Sequence, residues 1–177
     1  MKKIGIVLFL IIAFLIIYFL QANVFNYLTI AGVKPNLFII FILFIGLFAS
    51  TSYGIILGVI FGLIIDLIYG KSIGLTAVML CAVGYLGGYF DKSFSKENKI
   101  TIILMIAGAT IIFEIGHYLL NSLITGFARE YIYFAKILAI ETIYNILLTI
   151  ILYPLIQKIG YSIDRVFKRK NILTRYF

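Results

Sequence analysis

Residues 54–74 read GIILGVIFGLIIDLIYGKSIG, and this stretch decides the fold. From Gly54 to Tyr69 its one charged side chain is Asp66, and the remainder is apolar or glycine on every face. A helix that is hydrophobic all round is buried in protein or in a membrane. Glycine recurs at 54, 58, 62, 70 and 74, Asp66 fills the missing slot, and Ser50 and Gly46 extend the series backwards. Positions four apart share a helix face, and small residues at that spacing let two backbones approach closely where hydrocarbon removes the hydrophobic drive. The stripe therefore reads either as internal packing or as a docking face for another protein's helix. A carboxylate inside a span costs about 2.5–3.5 kcal/mol on insertion scales, so Asp66 must face protein or water. It pairs with N–H or hydroxyl groups, or it serves partner binding or a cavity.

Working outward, the rest of the chain has the same character. Of 177 residues, 63% are hydrophobic and 12% charged, with mean hydropathy +1.14. Soluble domains carry about 25% charged residues, so the main solvent here is hydrocarbon. A span needs about 20 apolar residues, and the chain divides into six helices at about 4–20, 37–50, 54–69, 73–90, 100–123 and 132–156. The expected fold is an all-α membrane protein, one transmembrane domain over residues 1–177 with a basic cytoplasmic tail at 157–177. Pro35 and Asn36 are expected to open the second helix, with proline in its first turn, where its missing N–H is harmless. Residues 91–99, DKSFSKENK, form the clearest polar loop.

Charge sets the expected orientation. Lys34, Lys71, Arg129 and Lys136 fall on one side, and the other eleven of the 15 basic residues fall on the side of the N-terminus. The positive-inside rule then puts both termini in the cytoplasm. Lys2 and Lys3 followed by an apolar run imitate a signal peptide, but residues 21–25 lack a small-x-small cleavage pattern, so the run is expected to remain as the first span. The net charge of +8 sits at helix ends and speaks for anionic headgroups, not nucleic acid. Cys81 is alone, which excludes a disulfide framework.

Polar residues concentrate in the last two helices. Thr110, Glu114, His117 and Asn121 are spaced four, three and four apart, and Glu141 and Asn145 four apart, so each set shares a face. Counting about 1.5 Å per residue from the helix ends, Asp66, Glu114 and Glu141 lie at similar depth. A buried polar cluster of Glu114, His117, Asn121, Glu141 and Asn145 joining the two helices is expected, as a satisfied structural network or as a proton relay. The Glu-x-x-His at 114–117 is half of a di-iron pattern, and the chain has a single histidine. No catalytic set, metal site or cofactor is expected. Residues 162–177 alternate basic and apolar residues, and Arg165, Lys168, Arg169 and Lys170 read as a surface segment held by anionic lipid, or as a recruitment site for a cytoplasmic partner.

Pro35-Asn36-Leu37, followed by Gly54, Gly58, Gly62-Leu63, Asp66-Leu67, Gly70 and Gly74-Leu75, resembles the rod shape-determining MreD family of bacteria. The motif resemblance covers residues 35–88. Elsewhere it rests on hydropathy, and Asn36 stands where that family commonly has Asp. The resemblance implies a non-enzymatic scaffold subunit of the cell-elongation complex in the bacterial cytoplasmic membrane. It implies association with an MreC-like bitopic partner, and through it with actin-like MreB and the cell-wall synthases, through Pro35, Asn36, Gly54, Gly58, Gly62, Asp66, Gly70 and Gly74. The family is also similar to the six-helix S-components of energy-coupling-factor vitamin transporters. That gives an S-component-like bundle as the expected fold and a substrate-binding transporter subunit as the alternative function. Ala13 is the one alanine in the apolar run of the first helix, and the chain has no Trp for ring stacking. Both observations favour the scaffold.

Overall fold

The computed structural model describes residues 2–69, 72–93, 98–126 and 131–167. Its elements are α1 (Lys2–Phe19), a π-helical turn (Leu20–Val24), α2 (Phe25–Tyr27), α3 (Leu37–Phe48), α4 (Thr51–Tyr69), α5 (Leu75–Ser93), α6 (Lys99–Thr125) and α7 (Tyr131–Phe167). With the single turn α2 counted as the end of α1, the six expected helices are present. Among the described residues the only strand-like pairing is one bridge between Ile30 and Val33. Among the described residues, four helices are long and apolar enough to cross a membrane: Ile4–Tyr27, Thr51–Tyr69, Lys99–Ile124 and Tyr131–Phe167.

The remaining two differ from a simple span for visible reasons. The last turns of α5 carry Gly87, Gly88, Asp91 and Lys92, which dilute its apolar character. α3 has 12 residues, hence a length of about 18 Å against a hydrocarbon core of about 30 Å. Eleven of those 12 are buried. It is the central post of the bundle, touching α1, α4, α5, α6 and α7. An all-apolar helix of this length is stable in such a place because it is enclosed by other helices. Its side chains supply much of the core: Ile39, Ile42, Leu43, Leu47 and Phe48 meet Leu80, Val83, Ile102 and Ile106 from α5 and α6.

Helix ends depart from the sequence reading in several places, and α5 runs to Ser93, three residues into the expected polar loop. The first helix continues through the π turn to Tyr27, and Asn23 and Asn26 there donate their side-chain amides to the carbonyls of Phe19 and Ala22, four residues back, so their polar groups are satisfied within the helix. The turn after α3 falls at residues 49–50, and Thr51 already begins α4. The last helix runs on to Phe167, eleven residues past its expected end. Pro154 lies inside it. Proline is tolerated in membrane helices where neighbours satisfy the freed carbonyl. The extension is anchored by apolar contacts: Gly160 lies on the Phe48 ring, Tyr161 meets Phe48 edge-on, Ile163 is buried, and Phe167 meets Tyr53 edge-on at 4.6 Å. Residues 157–167 are therefore part of the bundle helix, and the rest of the expected surface segment, 168–177, lies outside the described residues.

Candidate functional site

Polar arrangements at two helix starts interrupt the apolar bundle among the described residues. The first four N–H groups of a helix have no intrahelical acceptor, and that end carries a partial positive charge. At α5 this need is met by Asp66 from α4. Its Oδ2 accepts from the N–H of Gly74 at 2.9 Å and of Ala77 at 3.2 Å, and its Oδ1 from Thr76 at 3.3 Å. Gly74 has φ +99°, a conformation that favours glycine and turns its N–H onto the carboxylate. Asp66 is buried and pairs with N–H groups.

The glycine stripe runs down from this cap along the α4–α5 contact. A methyl group placed on Gly58 would stand 2.5 Å from the Leu80 carbonyl oxygen, and one on Gly54 2.7 Å from that of Gly84. At Gly62 it would meet the Ala77 backbone, with its N at 2.7 Å. Gly84, Gly87 and Gly88 return the contact from α5 onto Gly54, α3 and Thr51 respectively. The stripe predicted from residues 54–74 is thus met by a complementary set of small residues on α5, so α5 occupies that face.

The second arrangement surrounds the start of α3. Pro35 stands before the helix, not in its first turn, and the Asn36 side chain makes no cap. The end is held from a distance instead. The Leu37 N–H donates to Gln21 Oε1 at 3.2 Å, while Gln21 Nε2 donates to the Pro35 carbonyl at 2.6 Å. The π turn brings Gln21 to a buried position. The Asn36 N–H donates to Asn145 Oδ1 at 2.8 Å, and Asn145 Nδ2 donates to Thr110 Oγ1 at 3.1 Å. One fully buried amide on α7 therefore ties α3 to α6. One turn away on the same faces lie Glu141 and Glu114, with the carboxyl of Glu141 beside both Glu114 and the Asn36 side chain, and Lys34 near it. Glu141 Oε1 and Asn36 Oδ1 are buried without a hydrogen-bond partner.

A family model described as rod shape-determining protein MreD matches residues 1–161. The chain belongs to the MreD family. No curated protein and no solved structure matches it.

In this MreD chain, part of the expected polar cluster is described by its contacts. Glu114, Glu141 and Asn145 come together with Thr110 and Asn36. His117 lies one turn from Phe113 and stacks on its ring at 5.9 Å, and it is half-buried like Asn121. Among the described residues no group of three or more His, Cys, Asp or Glu side chains could hold a metal ion. Gly70, Lys168, Arg169 and Lys170 lie outside the described residues, and Arg165 is exposed on the last turn of α7. Sequence reasoning missed Gln21. The available signal was a glutamine closing an apolar run, 14 residues before Pro35. In a membrane protein such a side chain must find a partner.

Proposed function

We propose that this MreD-family protein is a non-enzymatic scaffold subunit of the bacterial cell-elongation complex. It sits in the cytoplasmic membrane with both termini inside, binds an MreC-like bitopic protein, and helps regulate cell shape and peptidoglycan synthesis through MreB and the wall synthases. The observation that carries the reading is the family match over residues 1–161. The geometry is in keeping with it: Asp66, Gln21, Asn145 and the glycine stripe all serve internal helix ends and contacts, which gives a rigid membrane body. A partner helix would dock on another face than Gly54–Gly58–Gly62, because α5 fills that one.

The test is affinity capture of the full chain from bacterial membranes, together with its depletion in rod-shaped cells. Enrichment of a bitopic elongation protein and rounding of the cells are expected. Capture without such a protein, and rods that stay rods, would count against the reading. Orientation is checked separately by cysteines at Ser72 and Ser162 in a Cys81→Ala background. Ser72 should react with an impermeant reagent from outside, and Ser162 only after the membrane is opened.

A further inference from the structure

We propose that Glu114, Glu141 and Asn36 form a binding site for one alkali-metal cation, held where α3, α6 and α7 meet. The Glu141 carboxyl is hydrogen-bonded both to Glu114 and to the Asn36 side chain. Glu141 is 7% exposed, and Asn145 and Thr110, one turn away on the same faces, are fully buried. Within this group two oxygens, Glu141 Oε1 and Asn36 Oδ1, are buried and accept no hydrogen bond. They belong to side chains that touch, and both are acceptors, so what completes them must be electropositive. The Asn36 and Leu37 N–H groups, which could otherwise serve them, are committed to Asn145 and Gln21. The positive end of α3 is thereby turned away from the bare oxygens.

Charge narrows the occupant to a single positive unit. Two carboxylates in one buried place repel each other and must be paired. Among the described residues, Lys34 in the loop before α3 is the one basic side chain that acts on Glu141, and it balances one of the two. A proton shared between the carboxyls would balance the other but would leave Glu141 Oε1 and Asn36 Oδ1 bare. A metal cation takes both oxygens and the Glu114 carboxylate together. Carboxylate and amide oxygens are ligands for hard cations. Two carboxylates fall short of the three acidic or imidazole ligands of a multivalent metal, and no such group of three occurs among the described residues. The alkali ions are left. The loop leading to Asn36 is exposed over residues 26–32, which gives an ion a way in from that side. Because the ion binds only where three helices meet, it stabilises the folded bundle by mass action.

The experiment uses the full chain in detergent. Thermal unfolding is read in sodium, potassium or choline chloride at equal ionic strength, and binding with radiolabelled sodium, or rubidium as the probe for potassium. One of the two alkali salts should raise the melting temperature by several degrees over choline, with binding that saturates at one ion per chain. Asn36→Ala keeps the main-chain bond to Asn145 and should weaken binding about tenfold. Glu141→Gln should abolish it, and if that variant fails to fold, Asn36→Ala and Lys34→Gln carry the test. Lys34→Gln removes the competing positive charge and should tighten binding several-fold, an effect that a purely structural lysine would not have. Thr142→Ala, whose hydroxyl bonds the Leu138 carbonyl of its own helix, should leave binding unchanged. Equal melting in all three salts with no saturable binding overturns the proposal and leaves the pair to a proton and water. Unchanged binding in Asn36→Ala also overturns it, because the ion then lies elsewhere, as does weaker binding in Lys34→Gln.

Discussion

The carboxylate of Asp66, near the end of α4, takes a 2.9 Å hydrogen bond from the N–H of Gly74, the residue before α5. The charge that looked most out of place in a membrane helix is thus the acceptor for the next helix's first turn. Asp66→Ala leaves three donors without it and should lower stability by about 2–3 kcal/mol. Asp66→Asn keeps one acceptor oxygen and loses the charge–dipole term, a smaller loss of about 1 kcal/mol. Thermal unfolding in detergent should rank parent, Asn, then Ala. Equal melting of Asn and Ala variants would show that the cap is not what Asp66 contributes.

Glycine substitutions should separate contact from composition. Gly58→Ala puts a methyl group 2.5 Å from a backbone oxygen that cannot move alone. Overpacking of this kind costs about 1–3 kcal/mol, and Gly58→Leu should abolish accumulation of folded protein. Gly108, in the middle of α6, has open space where its Cβ would stand. Gly108→Ala should be neutral or stabilising by up to about 1 kcal/mol, the difference in helix propensity. Expression and melting of the two alanine variants, side by side, check this.

The positions of the helices were readable from hydropathy because each apolar run must be enclosed or bathed in lipid whatever its neighbours do. The stripe at Gly54, Gly58 and Gly62 was readable as close packing, but its partner was not, since Ala77, Leu80 and Gly84 carry no mark of facing it. The start of α3 at Leu37 was readable, but what holds it was not, for a related reason. Pro35-Asn36 resembles a self-contained helix start, yet the groups that satisfy it are 16 and 109 residues away. The end of α7 was misread because Gln157 and Lys158 look like the beginning of a tail. Only the Phe48 and Tyr53 rings, far back in the chain, show that the helix continues.

Gln21 and Asn145 accept from the neighbouring Leu37 and Asn36 N–H groups at the same end of α3, so their losses should not add. Asn145→Ala removes acceptors and donors at a fully buried point and leaves the Asn36 N–H unmatched, a loss of about 2–3 kcal/mol. Gln21→Ala should be milder, since an interhelical hydrogen bond in a membrane averages about 0.6 kcal/mol and reaches about 1.7. Once either contact is lost the end of α3 is free to shift, so the double variant should cost less than the two singles together. A coupling of at least 0.5 kcal/mol in the double-mutant cycle is the expected result. Strict additivity would mean that the two residues stabilise unrelated parts.

The last eleven described residues of α7 give the contrast with a surface-lying tail. Ile163 is 7% exposed and belongs to the core, while its neighbour Ser162 points outward and bonds the Lys158 carbonyl. A carboxylate at 162 should therefore be tolerated, and one at 163 should not. Fully burying an isoleucine contributes about 1.5–3 kcal/mol, and an unpaired buried charge adds a further penalty. Ile163→Asp should melt well below Ser162→Asp, which should stay near the parent. If residues 157–167 lay on the membrane as an independent amphipathic segment, both variants would weaken membrane contact alone and leave bundle melting unchanged. The comparison separates the two arrangements without any binding partner.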